Sequence, residues 1–277
     1  MSSATPLEMT LLPGARELLA AHARELPQRD DFCGAFCGAL ALSAAGFETR
    51  AGEPLDQDAV AHAAGSTVSA RADPRHLPHG ETGRRDYRLA PTFIEDAAAS
   101  GTTAAGVVEA IGELAGDVLA AIPYSGPWTA ATLAGLFDGA ARLERPATLV
   151  ANLATSHLWG GRPSVEQALG YLLDGADAAP APDWEVGHFV CLFGRLRGPG
   201  GSLYGIADTY GALGNGGVHL QPAERLARAI ERRDMPAGGV IVVVAAEDAA
   251  AVRAGAAAAG LMEGIWDNGT VSAEAVR

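Results

Sequence analysis

The sequence predicts an α+β fold, with helices from the first part of the chain packed on an antiparallel sheet from the second part. Two apolar helical segments stand near the start, at residues 13–26 and 33–46. A β-prone hairpin stands late in the chain, at residues 187–208. Helices followed by strands are typical of the α+β class, whereas strict alternation would favour a parallel sheet.

Apolar spacing predicts the helices. Residues 13–26 place leucines and a histidine on one helical face, and Pro27 ends this helix. Residues 33–46 are apolar nearly all round, which predicts a helix buried in the core, with Asp31 as its N-cap. Further helices are expected at residues 56–64, 102–122, 129–143, 222–233 and 249–260.

Runs of β-prone residues between turn signals predict the strands. Residues 187–194 and 202–208 flank an Arg-Gly-Pro-Gly-Gly turn, and we expect them to form an antiparallel hairpin. Short buried strands are expected at residues 148–153 and 239–246.

A cysteine at the start of the buried helix is the first candidate for chemistry. Cys33 would lie among unpaired N–H groups at the positive end of the helix dipole, which favour its thiolate, the nucleophilic form. The same N–H groups can receive an oxyanion. Gln28, five residues upstream, can add a side-chain amide to that oxyanion hole.

A histidine and an aspartate stand at matching ends of the predicted hairpin. His188 begins the first strand and Asp208 ends the second. In antiparallel pairing the start of one strand lies beside the end of the next, so we expect these side chains to meet. The acid would hold one imidazole nitrogen while the other faces Cys33. The trio therefore predicts a thiol nucleophile, its base and the group that orients the base.

At these positions the chain resembles a known family, the peptidases that remove double-glycine leaders from bacteriocins. Residues 28–42 are similar to that family's nucleophile motif, with Cys33-Gly34 and a second cysteine four residues on. The run Gly187-His188-Phe189-Val190 is similar to its histidine motif, and Ile206-Ala207-Asp208 is similar to its aspartate motif. The resemblance extends patchily over residues 28–230.

This resemblance implies a papain-like fold, in which the nucleophile helix packs on an antiparallel sheet that carries the histidine and the aspartate. It implies Cys33 as nucleophile, His188 as base, Asp208 as orienter and Gln28 as oxyanion-hole donor. Gln28 stands five residues before Cys33, where that family usually has six. The trio and the resemblance together favour a papain-like cysteine enzyme that needs no cofactor.

The expected function is a cysteine peptidase or amidase that acts on a peptide through an acyl-enzyme. An acyl or peptidyl transferase of a natural-product pathway could use the same triad, with an amine in place of water. A third hypothesis is a catalytically inactive domain that binds a peptide in the substrate cleft of the papain-like fold, because a fold does not determine its activity.

Composition limits the partners. The chain has 277 residues, a net charge of −13 and no lysine, which together with its many alanines is typical of a bacterial protein from a GC-rich genome. An acidic chain is a poor match for nucleic acid or an anionic membrane, and a cationic peptide would suit it better. We therefore expect a peptide or acyl substrate, no nucleic acid and no membrane.

Length and cysteine content suggest one domain in a reducing compartment. Residues 1–277 are long enough to bury a sizeable core, and residues 234–277 form a candidate C-terminal addition of one strand and one helix. Three cysteines do not make a disulfide framework, and no apolar run of signal-peptide or membrane-spanning length is present. We expect a cytoplasmic protein, with an oligomeric state that the sequence does not indicate.

Three further patterns have alternative interpretations. Residues 71–88 are rich in arginine and histidine, and they form either a carboxylate-binding strip or a solvated loop with ion pairs. Cys33, Cys37 and His188 could supply three metal ligands, but no fourth completes a structural zinc set, so we expect no metal. Asp267 and Asn268 are spare candidates for the orienting group.

Overall fold

An eight-stranded sheet organises the fold of the computed structural model, which describes residues 7–160, 162–180 and 182–276. Its strands and those of two small side sheets are, in chain order, β1 (Glu8–Leu11), β2 (Thr49–Arg50), β3 (Glu53–Pro54), β4 (Thr67–Ser69), β5 (Thr92–Ile94), β6 (Leu119–Ser125), β7 (Thr148–Ala154), β8 (Gly187–Arg197), β9 (Ser202–Ala207), β10 (Val218–Pro222), β11 (Gly239–Ala245) and β12 (Met262–Glu263).

Helices cover both faces of this sheet. They are α1 (Ala15–Glu25), α2 (Cys33–Ala44), α3 (Gln57–Ala63), α4 (Ala104–Ala115), α5 (Ala130–Ala141), α6 (Val165–Asp174), α7 (Ala223–Glu231), α8 (Ala249–Ala258) and α9 (Ala273–Val276).

The large sheet is antiparallel throughout, in the order β10-β9-β8-β7-β11-β6-β12. The long strand β8 pairs with β7 along its first half and with β1 along its second half, on the same side. Strands β2 and β3 form a separate antiparallel pair, and β4 and β5 form a parallel one. Helices packed on a mostly antiparallel sheet confirm the predicted α+β class.

The hydrophobic core lies in two layers, one on each face of the sheet. Residues of α1 to α4 pack on one face with Ile241 and Val243 of β11. Residues of α5, α7 and α8 pack on the other face with Val240, Val242 and Val244 of the same strand. A strand buried on both faces has no polar side, which explains its continuous apolar run. The helices of this second layer were predicted, at residues 129–143, 222–233 and 249–260, but their packing on the second face of the sheet was not.

Helix α2 is buried nearly all round, as its composition predicts, and small residues let its neighbours approach closely. A Cβ on Gly38 would lie 2.8 Å from the Val60 side chain of α3. The predicted N-cap is wrong: Phe32 holds that position and makes no side-chain cap. Asp31 instead adopts a left-handed conformation, φ 65°, and its carboxylate accepts a hydrogen bond from the Ser69 N–H at 2.8 Å.

The predicted helix at residues 102–122 is also wrong in its second half. Helix α4 ends at Ala115, where Gly116 has a φ of 63°, and the chain continues into β6 at Leu119. Alanines and leucines suit either a helix or a strand, so pairing with β11 decides that residues 119–125 form a strand.

The C-terminal part of the chain contributes to the middle of the sheet. Within residues 234–277, expected as a candidate addition, β11 lies between β7 and β6, and β12 extends the same sheet beyond β6. Across the described ranges, no helix has both the length and the apolar character that a membrane crossing requires.

Candidate functional site

Cys33 is the first residue of α2 and lies half-buried on the wall of a cavity of about 690 Å³. The earliest backbone hydrogen bond of this helix runs from the Phe36 N–H to the Phe32 carbonyl, at 2.7 Å. The N–H groups of the first turn therefore precede the helical ladder and can bind an anion. Cys37 and Cys191 are fully buried, so Cys33 is the thiol with access to the cavity.

His188 and Asp208 meet at one end of the sheet, as the hairpin argument expects. In the register of β8 and β9, Cys191 lies opposite Ala207, which brings the start of β8 beside the end of β9. His188 Nε2 donates a hydrogen bond of 2.9 Å to Asp208 Oδ1. Both side chains are almost fully buried. Since Nε2 is taken by the acid, Nδ1 is the ring nitrogen left for Cys33.

The electrostatics of this pair favour a protonated imidazole. Burial alone would lower the pKa of His188, but the charge and hydrogen bond of Asp208, together with the neighbouring Cys33 side chain, raise it to about 10. Burial likewise works against ionisation of Asp208, and the His188 and His219 rings still hold its pKa well below the usual range. A carboxylate and an imidazolium are therefore the stable forms at neutral pH.

Asp208 is held from several directions. Its Oδ1 also accepts from the Thr209 N–H at 2.7 Å, and its Oδ2 accepts from His219 Nε2 at 3.1 Å. His22 Nε2 donates to the backbone carbonyl of Asp208 at 2.6 Å. Gln221 Nε2 in turn donates to His219 Nδ1 at 3.2 Å, which fixes the ring. These contacts leave the carboxylate one orientation toward His188.

Two aromatic rings cover the imidazole of His188. Trp184 contacts it edge-on, with ring centroids 4.9 Å apart, and Tyr210 stacks at 6.0 Å with an interplanar angle of 14°. The Trp184 indole N–H is held by the His76 carbonyl at 3.1 Å. Apolar rings beside the His188–Asp208 hydrogen bond keep water away from it, and this strengthens the bond.

Gln28 is buried and lines the same cavity as Cys33 and His188. Its Oε1 accepts a short hydrogen bond from the Thr209 hydroxyl, which fixes the orientation of the amide. Its Nε2 donates to the Arg29 carbonyl at 3.2 Å and keeps a second N–H. Gln28, Cys33 and His188 thus line this cavity, Asp208 lies behind His188, and the catalytic roles of all four residues stay predictions.

The spare candidates for the orienting group, Asp267 and Asn268, make other contacts. Asp267 Oδ1 accepts from the Gly269 N–H at 2.8 Å in a local turn. Asn268 lines the cavity, where its Nδ2 donates to the Thr102 carbonyl at 3.1 Å. Within the described residues, neither side chain forms a hydrogen bond with His188.

Most of the arginine-rich strip at residues 71–88 is tied into ion pairs at the surface. Arg75 pairs with Asp73 at 2.7 Å, Arg84 with Asp86 at 2.8 Å, and Arg88 with Asp56. These local pairs match the interpretation of the strip as a solvated loop better than that of a binding strip. Arg71 and Arg85 line the cavity.

Several residues of the site have no signal in the sequence. His22 was expected only to pack within α1, and His219, Thr209, Asn152 and Arg232 were not singled out. His219 and Gln221 stand two apart on β10, so they share a face of the strand, a pattern that could have suggested a polar pair. The metal hypothesis for Cys33, Cys37 and His188 gains no support, since no cluster of three candidate ligands is found among the described residues.

Comparison with known proteins supplies a family but no activity. A family described as "Family of unknown function (DUF6885)" matches residues 12–267, which cover the whole site and nearly all of the sheet. No curated protein matches the chain. The match spans far more than half of the 277 residues. The chain therefore belongs to the DUF6885 family.

Proposed function

We propose that this protein is a papain-like cysteine hydrolase, a peptidase or amidase that uses a Cys33–His188–Asp208 triad. The observation that carries the proposal is the His188 ring, which donates to Asp208 through Nε2 and neighbours Cys33 at the cavity wall. An imidazole between a carboxylate and a thiol at a helix start is the arrangement that activates a cysteine nucleophile. The resemblance to bacteriocin-processing peptidases favours a peptide as the substrate.

The first half of the reaction forms an acyl-enzyme. The Cys33 thiolate attacks the carbonyl carbon of an amide, and the oxyanion is received by N–H groups at the start of α2 and by Gln28 Nε2. When the C–N bond breaks, the departing amine takes the proton from His188, and a thioester on Cys33 remains. Asp208 keeps the ring oriented throughout.

The second half releases the product. Water adds to the thioester carbonyl while the neutral His188 takes its proton. The C–S bond then breaks, the carboxylic acid leaves, and the thiolate and the imidazolium are restored. The cavity of about 690 Å³ is large enough to hold a few residues of a peptide beside Cys33.

Alkylation with iodoacetamide at pH 6, followed by intact mass, tests the activated pair. Cys37 and Cys191 are buried, so we expect fast addition of one label, which Cys33→Ala abolishes. His188→Ala should slow labelling roughly tenfold or more, because the thiolate loses its partner. His62→Ala, which changes an exposed histidine of α3, is the matched control and should label like the wild type. Equal rates for His188→Ala and the wild type would contradict the proposal.

Turnover tests the reaction itself. Incubation with a mixture of short peptides, read by mass spectrometry, should yield shortened peptides with free acids, and Cys33→Ala should yield none. Products that carry an added amine instead of an acid would identify the same triad as a transferase.

A further inference from the structure

Arg232 is a buried arginine on the wall of the cavity that holds Cys33 and His188. It follows the last residue of α7 in a left-handed conformation, φ 46°, and only 4% of its surface is exposed. Gly187 makes room for the guanidinium, since a Cβ there would lie 2.8 Å from Nη2. The charge is therefore held against the residue that precedes His188.

The guanidinium has no acidic partner. Its Nη1 donates to Asn152 Oδ1, a neutral amide oxygen. In the part of the chain that the structure describes, no carboxylate lies within 4.0 Å of it, and its buried Nε has no hydrogen-bond partner. Arg195, the other buried arginine, has such a partner, with Nη2 2.7 Å from Asp138 Oδ1.

Asn152 orients this charge without cancelling it. Its Oδ1 also accepts from Trp266 Nε1 at 3.2 Å, and its Nδ2 donates to the His188 carbonyl at 3.3 Å. Burial lowers the pKa of Arg232 to about 10, although the nearby Cys33 side chain acts in the opposite direction, so the group remains a cation at neutral pH. A buried cation that is not paired with a carboxylate is costly for a folded protein, and a carboxylate that enters the cavity would offset that cost.

The acids on the same wall do not supply the counter-charge. Asp30 Oδ1 accepts from the Arg84 N–H at 2.8 Å, and Asp31 Oδ2 accepts from the Ser69 N–H at 2.8 Å. Their carboxylates are thus engaged by backbone groups of the loop that forms the opposite side of the cavity. The Nε of Arg232 is closed off from solvent and its Nη1 is taken by Asn152, so Nη2 is the donor left for a carboxylate oxygen in the cavity.

We propose that Arg232 binds a carboxylate group of the substrate, close to the carbonyl that Cys33 attacks. This inference rests on the proposed function and narrows the substrate to peptides or amides that carry a carboxylate near the bond to be cleaved. The carboxylate comes either from the C-terminus of a peptide or from an acidic side chain. Asn152 holds the guanidinium in place for it.

Two alkylating agents of nearly equal size test this inference, iodoacetate with a carboxylate and iodoacetamide without one. For each thiol, the rate with iodoacetate is divided by the rate with iodoacetamide. We expect this ratio to be roughly tenfold or more higher for Cys33 than for N-acetylcysteine amide, because Arg232 attracts the anionic iodoacetate. Arg232→Gln should bring the ratio down to the value of the free thiol, and Arg232→Lys should keep part of it. Arg253→Gln, which removes an exposed arginine outside the cavity, should leave the ratio unchanged.

The outcomes separate this inference from the proposed function. Slow iodoacetamide labelling that is indifferent to His188→Ala would end the proposed function. Fast, His188-dependent iodoacetamide labelling with a wild-type ratio equal to that of the free thiol would overturn only the role of Arg232. A wild-type ratio equal to that of the free thiol overturns this role even if Arg232→Gln fails to fold, and a raised ratio that Arg232→Lys keeps in part supports it.

Protection of Cys33 from iodoacetamide by short peptides distinguishes the two sources of the carboxylate. Acetyl-trialanine with a free C-terminus is compared with its amide, and acetyl-Ala-Glu-Ala amide is compared with the glutamine peptide. Protection by the free C-terminus alone supports a terminal carboxylate, and protection by the glutamate peptide alone supports a side chain. Equal protection within both pairs contradicts the inference.

Discussion

Asp208 connects most of the polar groups of the site. Its two carboxylate oxygens receive His188 and His219 separately, and its backbone carbonyl receives His22. A carboxylate held in this way can neither rotate nor take a proton easily, so its negative charge stays directed at His188. The reactivity of Cys33 should therefore depend on the charge of Asp208 as well as on His188.

Asp208→Asn tests this dependence. We expect labelling of Cys33 by iodoacetamide at pH 6 to slow roughly tenfold or more, because the neutral amide no longer stabilises the imidazolium. Asp267→Asn is the matched control, since Asp267 serves a local turn, and it should label at the wild-type rate. The opposite result, in which only Asp267→Asn slows labelling, would assign the orienting role to Asp267.

The titration of His188 gives a second test. Because its pKa is raised to about 10, NMR of the labelled imidazole should show a protonated ring at pH 8. The folded-state pKa lies above the ordinary value of about 6.5, so protonation stabilises the fold fully below that pH, and the stabilisation is lost as pH rises toward 10. Cys33→Ala should lower the pKa of His188, since the neighbouring Cys33 side chain is one of the causes of its rise, and Cys37→Ala should change it little. A ring that is neutral at pH 8 would refute the ion pair.

The sequence predicts those site residues whose positions follow from nearby sequence patterns. Cys33 stands at the start of a helix, and His188 and Asp208 stand at strand ends that a short turn brings together. Arg232 and Asn152 meet only through the packing of α7 on β7, across 80 positions of the chain. An arginine after a helix is ordinary in a sequence, and only its burial without an acid marks it.

Close packing of α2 explains its composition at the scale of secondary structure elements. Gly38 faces Val60 of α3, and a Cβ there would lie 2.8 Å from the nearest methyl group. Gly112 of α4 has nothing within 4 Å of the corresponding position. The two glycines therefore differ in tertiary contact while both stand inside helices.

Gly38→Ala and Gly112→Ala form a matched pair. We expect Gly38→Ala to lower the free energy of unfolding by about 1–3 kcal/mol, because the clash outweighs the better helix propensity. Gly112→Ala should raise it by about 0.5–1 kcal/mol, the gain of alanine over glycine in a free helix position. Urea unfolding followed by circular dichroism measures both. A loss of stability in Gly112→Ala of the same size as in Gly38→Ala would contradict this account.

Elements with distinct sequence signals are predicted well, and the others are not. Helix α5 begins after Thr129, whose side chain accepts from the Thr132 N–H, so a recognisable cap marks it. The boundary between α4 and β6 is marked only by the short turn Gly116-Asp117-Val118, between apolar segments that suit either element. Strand character appears there because β11 offers a partner, and that partner stands over 100 residues later in the chain.

At the scale of the whole molecule, β11 joins two parts of the sheet. It pairs with β7 on one side and with β6 on the other, and its side chains enter both layers of the core. The order of strands in space could not be read from the chain, because nothing local indicates that residues 239–245 insert between two earlier strands. Topology of this kind is set by burial of both faces at once.

A chain that ends after Arg233 tests the role of this strand. We expect it to show no cooperative thermal transition, because β6 and β12 lose their link to β7 and both core layers lose a wall. Val242→Ala, a milder change in the same strand, should unfold cooperatively with a loss of roughly 1–3 kcal/mol. Cooperative melting of the shortened chain at a temperature near that of the full chain would show that β11 is dispensable.

The position of β11 also governs when the proposed Cys33–His188 pair can form during synthesis. Cys33 leaves the ribosome early. His188 stands on β8, which pairs with β7, and β7 lacks its other neighbour, β11, until residues 239–245 have been made. Trp266, which holds Asn152 beneath His188, is made later still. We therefore expect the proposed activation of Cys33 to appear only after residue 266 has been made.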